Sequence, residues 1–131
     1  MLVHKAIVEP GDHVLSIVPT YQQHYSIPKS IQADVTTLAL RGEDGFLPDL
    51  EALKAAVKPN TKLIAFTNPN NPTGALIERP MLEDMVNIAD SVGAYLLCDE
   101  VYRGTGQVGD GMSPSIADLY SKGISTAGMS K

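Results

Sequence analysis

Three short, mostly apolar runs constrain this chain more than any other feature, because each is cut off abruptly by turn formers or by charge. They are Val14 to Val18 before Pro19, Lys62 to Thr67 before Asn68-Pro69, and Ala94 to Cys98 before Asp99-Glu100. Runs of five or six residues are too short for buried helices, and they lack the alternation of a half-exposed strand, so they read as strands covered on both faces. Amphipathic stretches lie between them. In Asp49 to Val57, Leu50, Leu53 and Val57 fall on one helical stripe; in Arg79 to Val92, Met81, Leu82, Met85, Ile88, Ala89 and Val92 do the same, with Gly93 as a C-terminal stop. Strand and helix in alternation predict an α/β architecture with a mainly parallel sheet. The same reading expects helices in Met1 to Val8 and Tyr21 to Ser30, and strands in Val35 to Leu40 and Ile124 to Met129. A short helix is expected over Ser113 to Tyr120, capped by a serine with Pro114 in its first turn. No repeat or linker interrupts the pattern, and 131 residues suit at most one domain.

Charge and composition narrow the partners. With 10 Lys+Arg against 15 Asp+Glu the formal charge is −5, so no basic footprint for nucleic acid or an anionic membrane is present. No apolar run reaches the length that spans a bilayer, and the first residues lack a signal-peptide core, so a soluble, cytoplasmic protein is expected. A single cysteine, Cys98, excludes an internal disulfide and sits in an apolar strand, where a thiol serves as packing. His4, His13 and His24 have no metal-ligand spacing, so no metal site is expected. Gly104, Gly106 and Gly109 match a dinucleotide-binding fingerprint literally, but Asp110, Gly111, Ser113 and Pro114 postpone the helix that must begin inside such a run; the segment reads as a surface loop.

The informative residues lie just after the strands. Asp99 and Glu100 end one of them, and in open α/β sheets ligands bind at the carboxyl ends. Asn71-Pro72-Thr73-Gly74, Asp99-Glu100-Val101-Tyr102 and Ser130-Lys131 form an ordered set, with Asp99 28 residues beyond Asn71 and Lys131 32 beyond Asp99. Together with Pro19-Thr20-Tyr21 upstream, they resemble the N-P-T-G turn, D-x-x-Y segment and S-K dipeptide of fold-type-I, pyridoxal-phosphate-dependent aminotransferases of the aspartate aminotransferase family.

That resemblance implies a three-layer α/β/α fold and pyridoxal 5'-phosphate (PLP) as cofactor. Lys131 would be the amine that holds the cofactor aldehyde as an imine and moves a proton at the substrate α-carbon, since lysine alone offers a nucleophilic amine with that reach. Asp99 would keep the ring nitrogen protonated, which deepens the electron sink. Asn71 and Tyr102 would donate to the ring's phenolic oxygen, Tyr21 would stack on the ring, and His24 would stand behind Asp99 and orient it. The implied reaction moves an amino group between an amino acid and a 2-oxo acid in a homodimer. Alternatives are a carbon-sulfur β-lyase of the same fold, and a catalytically silent binding or regulatory module. The family carries Ser or Thr three residues before the lysine, where this chain has Gly128. The family's upstream glycine-rich phosphate segment and downstream arginines are not in this sequence, so residues 1–131 read as part of a single PLP-binding large domain, truncated at both ends.

Overall fold

The computed structural model describes residues 2–105 and 112–129. Among these residues five strands form one sheet: β1 (His13–Val18), β2 (Asp34–Ala39), β3 (Thr61–Thr67), β4 (Tyr95–Asp99) and β5 (Gly123–Thr126), in the spatial order β2-β1-β3-β4-β5. Every pairing is parallel. Five α-helices among the described residues connect or precede them: α1 (Leu2–Ile7), α2 (Gln23–Ser30), α3 (Leu50–Ala56), α4 (Arg79–Ser91) and α5 (Ile116–Leu119). Among the described residues, no helix is long and apolar enough to cross a membrane.

Alternation along the strands sorts their side chains into two layers. Leu15, Ile17, Ile64, Phe66, Leu96 and Cys98 face α3, α4 and α5, in a cluster completed by Leu53, Leu82, Met85 and Ile116. The opposite face carries Val14, Leu63, Ala65 and Leu97, covered by Val3 and Val8 at the α1 end and by Ile31 after α2. The fold is thus three-layer α/β/α, as the motif set implied. Each fully buried Leu, Ile or Phe contributes about 1.5–3 kcal/mol, so the first cluster carries most of the apolar stabilisation.

Connectivity reverses between β1 and β3. The chain steps from β1 outward to β2 through α2, then back across β1 to β3 and onward to β5 through α3, α4 and α5. Right-handed crossovers that run in opposite directions must lie on opposite faces, which is why α2 is separated from the other three. The loops after β1 and β3 therefore diverge and leave a crevice at their carboxyl ends.

Local chemistry explains the helix ends. Asp49 caps α3 by accepting from the backbone N–H groups of Glu51 and Ala52, both at 3.0 Å. α5 begins later than the sequence suggests: its cap is Ser115, so Pro114 precedes the helix and is not in its first turn. The cause is Glu100, whose Oε1 accepts from Ile116 N–H at 2.8 Å and from the Ser115 hydroxyl at 3.0 Å, fixing the start there. The last strand is also shorter than expected and shifted, ending at Thr126. It starts at Gly123 because a Cβ there would overlap the Ile116 carbonyl; only glycine lets α5 turn so tightly into β5.

Candidate active site

Parallel strands end together, so residues distant in sequence meet where β1, β3 and β4 stop. On β3 and β4, Thr67 and Asp99 are register partners, and both project to the face that carries Ala65 and Leu97. A cleft of about 240 Å³ opens beside them, lined by Tyr21, Thr67, Asn71, Asp99, Val101 and Tyr102. Four of the six are residues singled out from the sequence: Tyr21, Asn71, Asp99 and Tyr102 converge on one space. A larger groove of about 410 Å³ is lined by α3 and α4 residues alone and shares nothing with the strand ends.

The loop after β3 owes its shape to asparagines that composition marks only as turn formers. Asn68 is buried; its amide donates to Ile77 O at 3.1 Å, its oxygen accepts from Ile77 N–H at 2.8 Å, and its own N–H bonds Asp99 O at 3.0 Å. This closes the base of the loop against β4. Asn70, also buried, accepts from the Thr73 hydroxyl at 2.8 Å and Thr73 N–H at 3.3 Å, while its amide donates across the crevice to Pro19 O at 3.1 Å. Gly74 completes the turn with φ +75°, a conformation that favours glycine. Asn71 is exposed and faces the cleft. Beneath it, the Thr20 and Thr67 hydroxyls meet at 2.8 Å.

The two carboxylates after β4 have different tasks. Asp99 is half-buried; its Oδ1 accepts from Val101 N–H at 3.1 Å, and among the described residues no donor engages Oδ2. Glu100 is 5% exposed and saturated by Ser115, Ile116 N–H and Arg103, whose Nε lies 3.9 Å from Oε2 and donates to Ser113 O at 2.8 Å. Glu100 therefore fastens the turn that carries Val101 and Tyr102 onto α5.

The structure does not join His24 to Asp99 by a hydrogen bond. The His24 ring instead lies edge-to-face with His4, centroids 5.9 Å apart, and burial pushes both imidazoles down to about 4. Burial beside two carboxylates pushes the Cys98 thiol well up, which suits inert packing. Lys131, Gly106 and Gly109 lie outside the described residues. Among the described residues no group of three His, Cys, Asp or Glu is placed to hold a metal.

Sequence reasoning gives Thr67, Asn68, Asn70 and Val101 no role of their own. Period-two alternation from Ala65 would have put Thr67 on the ligand face, whereas the asparagine bonds across the crevice have no local signature.

A doubly wound parallel sheet with a cleft at its topological switch point, holding an aromatic ring, a carboxylate and neutral donors, defines a ligand-binding α/β domain. The family model "Aminotransferase class I and II" matches residues 2–131. The aspartate/prephenate aminotransferase of Thermus thermophilus is 34% identical over 113 residues, covering 84% of this chain and 29% of that protein. The aspartate aminotransferase of Pyrococcus horikoshii is 33% identical over 102 residues, covering 78% of this chain and 26% of that protein. A crystal structure of a PLP-dependent aminotransferase from Streptococcus suis superposes with a TM-score of 0.93 at 50% identity, covering 99% of this chain and 34% of that one. The chain belongs to the class I and II aminotransferase family, and it spans between about a quarter and a third of the length of the relatives it matches.

Proposed function

We propose that this chain supplies the cofactor-ring wall of a PLP-dependent aminotransferase that acts between an amino acid and a 2-oxo acid. The observation that carries the reading is the convergence of Tyr21, Asn71, Asp99 and Tyr102 on one 240 Å³ cleft. The donor set fits a flat pyridine ring bearing a cationic nitrogen and an ionised oxygen. Asp99 presents an oxygen with no donor among the described residues, Asn71 and Tyr102 are neutral donors, and Tyr21 and Val101 offer an aromatic and an aliphatic surface.

PLP, when bound, supplies an electron sink for electrons released at the α-carbon of an amino acid. Asp99 would hold the ring nitrogen in its protonated form, because a carboxylate favours a neighbouring cation most where water is scarce. Asn71 and Tyr102 would stabilise negative charge on the phenolic oxygen by hydrogen bonding. Tyr21 would cover one ring face and exclude water from it. Lys131, by its place in the family order, is the amine that takes the α-proton and returns it. Residues 1–131 form part of a single PLP-binding large domain on this reading, and the active form is a homodimer.

The test is an absorbance titration of the full chain with PLP, followed by borohydride reduction and peptide mapping. A stoichiometric adduct on Lys131 is expected. Absence of binding, or an adduct confined to other lysines, overturns the reading.

A further inference from the structure

The crevice between β1 and β3 is where the two halves of the fold diverge, so nothing in the sheet ladder fixes the distance across it. Strand pairing between β1 and β3 runs only from His13↔Thr61 to Ser16↔Ala65 and stops before the strand ends. Beyond that point, among the described residues, two side-chain bonds span the gap. One is the Thr20–Thr67 hydroxyl pair at 2.8 Å; the other runs from the Asn70 amide to Pro19 O at 3.1 Å. Asn70 is 6% exposed and bonded at each of its polar atoms: its side-chain oxygen takes two bonds from Thr73, its N–H goes to Ala75 O, and its carbonyl accepts from Gly74 N–H. It is held rigidly from the β3 side while its amide grips the β1 side.

The neighbours of this bond are the walls of the cleft. Asn71 follows Asn70 directly, and Tyr21 lies two residues beyond Pro19. Both line the cleft, and so does Thr67 of the hydroxyl pair. A bond between Asn70 and Pro19 O therefore sets the separation between the aromatic wall and the amide donor.

We propose that Asn70 is a positioning residue that, with the Thr20–Thr67 pair as a second tie, clasps the loops after β1 and β3 and so holds Asn71 in register with a ring lying against Tyr21. The proposal rests on the PLP reading above. Asn70 touches no ligand on this account and acts through Asn71 and Tyr21. Loss of the clasp leaves Asp99 in place on its own strand but lets the Asn71 amide drift from the ring oxygen it serves.

The experiment compares Asn70→Ala, Asn70→Asp, Asn71→Ala and Thr61→Val in the full chain. Thr61 bonds His13 at the opposite end of the sheet, so its variant lowers stability without touching the clasp. Each protein is titrated with PLP by fluorescence, and the pH midpoint of the bound cofactor's visible absorption band is recorded beside the melting temperature. Asn70→Ala and Asn70→Asp should weaken PLP binding by about five- to tenfold, the scale of one lost hydrogen bond, and shift the band midpoint in the direction that Asn71→Ala shifts it. Asn70→Asp keeps the oxygen that Thr73 needs but replaces the donor to Pro19 O with a negative charge, so the neutral Thr20→Val, which cuts the second tie, is measured beside it and should move the midpoint in the same direction if the clasp and not the charge is the cause. Thr61→Val should lower the melting temperature and leave the midpoint where it was. A midpoint in Thr20→Val or in Asn70→Asp equal to that of the unmodified protein overturns the proposal, as does an equal shift in Thr61→Val. Failure of the unmodified chain to take up PLP would instead overturn the functional reading on which it rests.

Discussion

The two ends of the sheet are built on opposite principles. At the amino end, His13 is fully buried and bonds Thr61 Oγ1 at 2.7 Å through Nδ1 and Thr36 Oγ1 at 2.9 Å through Nε2, tying β1 to both neighbours. Thr61 also accepts from Lys58 N–H at 2.7 Å, and Lys58 pairs with Asp34 at 2.6 Å. The carboxyl end is less saturated. Among the described residues Asp99 keeps one oxygen without a donor, and Tyr21 is 58% exposed. α2 leaves β1 at this end, so His24 in its first turn and His4 beside it also lie here; both His4 nitrogens and His24 Nδ1 are buried without a partner among the described residues. Saturated bonds make one end an anchor, and unspent polar groups make the other a place for chemistry, at a cost in stability.

The largest expected effect comes from acid. His4 and His24 titrate near 4 in the folded chain, chiefly because burial disfavours the charged ring, against 6.5 when unfolded. A lowered folded value means that the unfolded chain binds more protons below pH 6.5, so stability is complete above that pH and falls as pH drops toward 4. The full shift corresponds to about 3 kcal/mol for each ring, and urea unfolding at pH 7 and 4.5 should show most of it. His4→Leu should flatten the slope by about half. His13, whose value is also lowered by burial, adds loss in the same direction. An unchanged slope in His4→Leu would break the contrast between the ends.

Next in size is the cleft itself. Asp99→Asn keeps the bond to Val101 N–H and removes the charge, so on the proposed reading aminotransferase turnover should fall on the order of 10²–10³-fold while the melting temperature barely moves. A large loss of stability would mean that the carboxyl end is an anchor too. The smallest effect sharpens the comparison within one dipeptide. Glu100→Ala leaves Ile116 N–H and the Ser115 hydroxyl without their buried acceptor and Arg103 without its ion-pair partner, and should cost about 2–3 kcal/mol in denaturant unfolding, with Glu100→Gln costing less because it keeps an acceptor. Adjacent carboxylates would then differ in kind, one serving ligand and the other the fold.

Much of this was legible in the amino-acid order. Apolar runs of five or six residues ended by turn formers located β1, β3 and β4, and the spacing of Leu82, Met85 and Ala89 located α4, because burial periodicity is a local property. Asp99 stands out because it ends such a run, and Asn71 because the motif it opens resembles the N-P-T-G turn of the aminotransferase family. Bonds between distant segments were not legible: Asn70 to Pro19 O spans 51 residues, and Glu100 to Ile116 N–H spans 16. The start of α5 was misplaced for that reason, as its first N–H is satisfied by a residue from another element. By itself the sequence determined which segments are strands, which helices, and which residues stand at the strand ends. Only the tertiary structure decided which of those residues share a cleft and which asparagine holds it to width, because hydrogen bonds across a crevice depend on where the chain returns.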